Sequence, residues 1–201
     1  MDNNFFEFLK TISVILVSMT GLILLLSKDW RLGIGALAFQ YFGVFILVSI
    51  SWPVEIAVVK LVAGWMSAAV LGMALVSEPN GWSEDQPYLS SSTLFRLLAA
   101  GLVLPVSITI APTLEEWLPG IQIQQVYGGM ALILLGLLNL GFKSKPIRVI
   151  IGLLTILAGF EVYYATIEFS ALVTGLLAVI NLGLALVGTY LLFCPIMEET
   201  D

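Results

Sequence analysis

Residues 147–193 read IRVIIGLLTILAGFEVYYATIEFSALVTGLLAVINLGLALVGTYLLF. This stretch is about twice as long as a single bilayer crossing, which needs roughly 20 apolar residues. Its main polar interruption near the middle is Thr166-Ile167-Glu168. A single helix of this length would exceed any bilayer, so we predict two membrane spans, 147–167 and 170–193, joined by a turn at this point.

The same criterion applied to the rest of the chain predicts five further spans. They are expected at 9–27, 33–51, 53–76, 94–111 and 124–142. Polar or turn-forming segments separate them, namely Lys28-Asp29-Trp30-Arg31, Ser51-Trp52-Pro53, residues 77–93, residues 112–120 and Lys143-Ser144-Lys145-Pro146. The sequence therefore predicts an all-α, polytopic integral membrane protein with about seven transmembrane helices.

The composition is typical of a membrane protein and argues against several kinds of metal site, catalysis and partner. Hydrophobic residues make up 59% of the chain and charged residues 11%, against about 45–50% and about 25% in average globular proteins. There is no histidine and only one cysteine, Cys194, which argues against His-ligated metals, Ser-His catalysis and internal disulfides. The net charge of −6 argues against nucleic acid as a partner. We expect no cofactor, no metal and no catalysis from this chain alone.

The distribution of basic residues predicts an orientation. With seven spans, one side collects six of the eight lysines and arginines, and the opposite side has only Lys10. The six are Lys28, Arg31, Arg96, Lys143, Lys145 and Arg148. Because basic loops favour the cytoplasmic side, we expect the N-terminus outside, the C-terminus in the cytoplasm, and the chain in the inner (cytoplasmic) membrane.

Four polar residues inside the predicted spans are candidates for ion relay. Lys60 and Glu161 both lie roughly 9–10 Å below the outer surface at 1.5 Å per residue, whereas Gln40 and Asn181 lie roughly 16 Å down. The matched depths predict contact between Lys60 and Glu161, directly or through one water. The alternatives are a snorkelling Lys60, a hydrated crevice at Glu161, and interhelical hydrogen bonding by the two amides.

The last third of the chain carries a set of short motifs from Tyr127 onward. They are Gly128-Gly129, Leu135-Gly136-Leu137, Lys143-Ser144-Lys145-Pro146-Ile147-Arg148, Ile151-Gly152-Leu153-Leu154, Ala158-Gly159 and Glu168-Phe169-Ser170-Ala171-Leu172-Val173. This pattern resembles a three-helix module found in three assemblies. The module forms the small K subunit (4L type) of respiratory complex I, the C-type small subunit of Mrp-type cation/proton antiporters, and the C-terminal half of component E in membrane-bound hydrogenases.

The resemblance implies a division of the chain and a function. Residues 124–201 would form the complex I K-subunit-like module, and residues 1–123 an additional four-helix membrane region. The chain would be a small subunit of an ion-translocating assembly, beside large antiporter-like subunits in the bilayer. Family members place a glutamate at the position of Leu157, one turn before Glu161, and complex I has a second glutamate where this chain has Asn181.

Two other classes of function remain open from the sequence. The chain is either a structural or assembly subunit, in which the intramembrane charges only pair helices, or an independent small transporter. The absence of recognisable duplicated halves makes the transporter the weaker of these two interpretations.

Overall fold

A computed structural model describes residues 2–82, 90–117, 120–142 and 145–198. Within these ranges the chain forms seven α-helices and one short 3-10 turn at Pro79–Gly81. The helices are α1 (Asp2–Leu26), α2 (Trp30–Val48), α3 (Val54–Ser77), α4 (Ser90–Trp117), α5 (Ile123–Phe142), α6 (Pro146–Ile167) and α7 (Ala171–Glu198). Each is long and apolar enough to cross a membrane. The protein is an all-α, multi-pass membrane protein, and Lys143 and Ser144 of the basic turn lie outside the described residues.

Several predicted span boundaries are displaced in the structure; for example, α1 begins at Asp2 rather than at residue 9, and α7 ends at Glu198 rather than at residue 193. Two further displacements have a local explanation. Helix α2 begins at Trp30 rather than at residue 33, because the Asp29 side chain accepts a 3.0 Å hydrogen bond from the Arg31 backbone N–H and caps the helix there. Helix α4 continues past the predicted end at residue 111 and includes Pro112. Prolines are tolerated inside transmembrane helices, so this proline is a poor marker of a helix end.

Contacts between helix ends define two faces of the bundle. At one face, Gln125 at the start of α5 donates a 2.9 Å hydrogen bond to Ser51, and Trp52 packs edge-on against Phe169. We call this the N-terminal face, because α1 starts there. At the opposite, C-terminal face, Arg148 at the start of α6 donates a 3.0 Å hydrogen bond to the Ser27 carbonyl, just after α1. The helices thus alternate in direction, as the predicted topology requires.

Four helices form the centre of the bundle. Helix α2 packs on α3, α3 on α7, α7 on α6, and α6 on α2, which closes a ring of four. Helices α1 and α5 pack beside this ring, and α4 lies outermost, against α5 and α1. The largest cluster of buried residues contains residues from both predicted regions of the chain, 1–123 and 124–201. Leu37 and Leu71 belong to the first region, and Leu154 and Ala185 to the second.

Helices α5 and α6 cross closely where glycines face each other. A Cβ atom added at Gly159 would lie 2.7 Å from the Gly129 carbonyl oxygen, and one added at Gly136 would lie 3.0 Å from the Gly152 oxygen. Because these neighbours are backbone atoms, they cannot move aside as a flexible side chain would. The small residues allow the two backbones to approach, as is typical of helix packing in membranes.

We therefore expect Gly159→Ala to destabilise the protein by about 1–3 kcal/mol, the usual cost of overpacking a close contact. The matched control is Gly141→Ala, on α5, where no heavy atom lies within 4 Å of an added Cβ. This control should be neutral, or up to about 1 kcal/mol more stable, because alanine is the better helix former. Thermal unfolding of the purified variants in detergent measures both, and equal midpoints would contradict the close crossing.

Candidate functional site

A buried ion pair lies inside the central ring of helices. The Lys60 ammonium on α3 donates a 2.7 Å hydrogen bond to Oε1 of Glu161 on α6. Both residues are 1% exposed. The direct contact expected from their matched depths is therefore present. Since α3 and α6 face each other across the ring rather than packing side by side, the long lysine side chain spans the centre of the bundle.

Helices α2 and α7, the other two that face each other across the ring, are connected by an amide and a phenol. Asn181 on α7 donates a 3.1 Å hydrogen bond from Nδ2 to the same oxygen of Glu161. Its Oδ1 in turn accepts a 3.0 Å hydrogen bond from the hydroxyl of Tyr41 on α2. Lys60, Glu161, Asn181 and Tyr41 thus form one connected group, which we call the charge cluster, with one residue from each helix of the ring.

Because the charge cluster is buried, its stability depends on the pairing of opposite charges and on hydrogen bonds. Removing a charged side chain from water costs several kcal/mol, and this cost is offset only when an opposite charge and hydrogen bonds are in place. Glu161 has both, since Oε1 accepts from Lys60 and from Asn181. The cluster is formally neutral overall, because the ammonium and the carboxylate balance each other.

Space for the phenol comes from a glycine on the neighbouring helix. Gly64 on α3 lies directly against the Tyr41 ring, and a Cβ atom added there would overlap the ring carbons. Lys60 and Gly64 are one helical turn apart and share a face of α3. The same face of α3 therefore provides both the cation and the space for Tyr41 to reach Asn181.

Gln40, the fourth predicted relay residue, has a different partner. It is fully buried, and its Nε2 donates a 3.3 Å hydrogen bond to the Thr155 hydroxyl on α6. Thr155 donates in turn to the Ile151 carbonyl at 2.8 Å. Of the four predicted residues, three belong to the charge cluster, and Gln40 joins α2 to α6 separately.

Sequence reasoning missed Tyr41 and Thr155 as polar partners. Tyrosine and threonine are common in apolar spans and carry no charge, so neither stands out in a hydropathy scan. The available signal was the adjacency of Tyr41 to Gln40, since a buried tyrosine hydroxyl usually finds a hydrogen-bond partner. Among the described residues, no three acidic or cysteine side chains come together in a way that could hold a metal ion.

A comparison with known protein families, curated proteins and solved structures finds no match to this chain. The resemblance to the complex I, Mrp and hydrogenase module stays a prediction. The functional interpretation therefore rests on the charge cluster itself.

Proposed function

We propose that this protein is a small membrane subunit of a multi-subunit, ion-translocating assembly of the complex I-like or Mrp-like kind. In this proposal it packs beside large antiporter-like chains and contributes one wall of a charge-relay axis. The observation that carries the proposal is the fully buried Lys60–Glu161 pair. Ionisable residues inside a membrane are costly and are therefore functional candidates by default.

The chemistry of the pair suits a relay. Its 2.7 Å hydrogen bond allows the shared proton to lie on the lysine or on the carboxylate. A charge that approaches in a neighbouring subunit would favour one of these two states, because electrostatic interactions act strongly in a low-dielectric interior. Asn181 can donate to Glu161 in the charged state and lose little when the carboxylate is neutral, so it stabilises the pair without titrating.

The proposed location is the inner (cytoplasmic) membrane, with the N-terminus outside and the C-terminus in the cytoplasm. The six-to-one bias of basic residues supports this orientation. On the N-terminal face, the single basic residue Lys10 is paired with Glu7 at 2.8 Å, which leaves that face without a net basic cluster.

A structural role is the alternative that the geometry also favours. The charge cluster links all four helices of the central ring, so it can fix their mutual arrangement without moving ions. The two functions differ in what neutral replacement of the pair would do to ion flux.

The partner prediction can be tested by purification. The protein isolated from its native membrane in mild detergent should co-migrate on size exclusion, in fixed stoichiometry, with larger multi-span chains that carry charged residues within their own spans. A parallel purification from cells that lack the affinity tag controls for adventitious membrane proteins. Isolation of this chain alone, or only as a homo-oligomer, would contradict the proposal.

A further inference from the structure

A depression opens on the N-terminal face at the end of α6, the helix that carries Glu161. Its volume is about 400 Å³, and three inter-helix turns form its rim. The described residues that line it include Ser51, Trp52, Gly120, Ala165 and Glu168, and none of the described lining residues is a lysine or arginine. Glu168 is exposed there, so the charge that this described lining presents at the opening is negative.

One face of α6 leads from the depression to the ion pair. Glu161, Tyr164 and Ala165 are spaced three and four residues apart on α6, and such positions lie on the same side of a helix. Glu168 follows directly after the end of α6 at Ile167. Ala165 lines the depression and is 4% exposed. Glu161 lies one turn below it, about 6 Å along the helix axis. On this face, α6 itself places only Ala165 and the half-buried Tyr164 between the depression and Glu161.

Three buried polar atoms at this end of α6 have unused hydrogen-bonding capacity. Within the described part of the chain, no hydrogen-bond partner is found for Glu161 Oε2, the Tyr164 hydroxyl or the Trp52 indole nitrogen. The Trp52 and Tyr164 rings pack edge to face, with centroids 6.1 Å apart. Unpaired buried polar groups are costly, and ordered water is the usual partner that restores their hydrogen bonds.

We infer that the depression is the entrance of a hydrated route by which protons reach Glu161 from the N-terminal face. This inference rests on the proposed ion-handling function and adds the side from which the site is reached. The step is proton transfer, in which an O–H bond of a hydronium ion breaks, an O–H bond forms at the Glu161 carboxylate and neutral water remains; the reverse step returns the proton to water. A metal cation is disfavoured, because the Lys60 ammonium already lies 2.7 Å from the carboxylate.

Thiol labelling tests the route in the full-length protein in membrane vesicles. With the native thiol removed by Cys194→Ser, we expect cysteine introduced by Ala165→Cys to react with a small, charged, membrane-impermeant methanethiosulfonate reagent. Reaction should occur from the N-terminal face only. Ser51→Cys at the rim shows from which side of the vesicle the reagent reaches the N-terminal face. The labelling of position 165 is compared with that of position 51, so the test does not depend on how the protein is oriented in the membrane.

The matched control is Ala158→Cys, which lies on α6 beyond Glu161 from the depression and is fully buried. Position 165 should react more than about tenfold faster than position 158, because the reaction requires a hydrated thiolate. Tyr164→Cys provides a second test position in case Ala165→Cys is poorly folded. If both positions are inert while Ser51→Cys reacts, or if they react from the C-terminal face, the route is wrong. Labelling does not depend on ion flux, so failure of the proposed function would be seen separately.

Discussion

Replacement of Lys60 by methionine is expected to destabilise the protein strongly and to lower the yield of folded protein. The substitution preserves much of the apolar stem but leaves the Glu161 carboxylate buried without its 2.7 Å cationic partner. Breaking a buried ion pair in this way costs about 3–5 kcal/mol, because an uncompensated charge stays in a low-dielectric site. The yield of monodisperse protein in detergent and its thermal unfolding midpoint should both fall.

The chain provides a matched control for this substitution. Lys10 and Glu7 form an ion pair of nearly the same length, 2.8 Å, but the Glu7 side chain is 58% exposed. An exposed pair contributes about 0–1 kcal/mol, so Lys10→Met should leave yield and midpoint almost unchanged. If Lys60→Met is as stable as Lys10→Met, then burial does not make the Lys60–Glu161 pair important for folding.

Neutralising both members of the pair is expected to preserve assembly but to reduce ion flux. In Lys60→Met combined with Glu161→Gln, no uncompensated charge remains, and the glutamine carbonyl can still accept from Asn181 Nδ2. Replacing both partners of a buried pair is often close to neutral for stability. The double variant should therefore recover most of the stability that Lys60→Met loses and should assemble with its partners.

Ion flux through vesicles that contain the assembled double variant should nevertheless fall at least about tenfold, because glutamine cannot titrate and the relay loses its ionisable group. Tyr41→Phe serves as a comparison, since it removes only the 3.0 Å hydrogen bond to Asn181. That change should cost about 1 kcal/mol and retain substantial flux. Normal flux in an assembled double variant would refute the relay and establish the structural role of the pair.

The depth of polar residues, estimated from the sequence, predicted one polar contact correctly and missed the others. Counting residues from the span ends placed Lys60 and Glu161 at one level, and the structure pairs them. The same counting set Asn181 roughly 7 Å deeper than Glu161, yet Asn181 donates directly to that carboxylate. Helix tilt and side-chain reach are comparable with this offset, so axial position alone cannot identify neighbours.

The sequence by itself determined that the described part of the chain has seven helices long and apolar enough to cross a membrane, and which charges lie inside them. Both follow from local chemistry, because the bilayer requires a fixed length of apolar helix and penalises every buried charge. Only the tertiary structure decided that Asn181 joins the Lys60–Glu161 pair, that Gln40 donates to Thr155, and that Gly64 makes space for Tyr41. These relations depend on the rotation of each helix about its axis and on which helices become neighbours. Both are set by packing between segments distant in the chain.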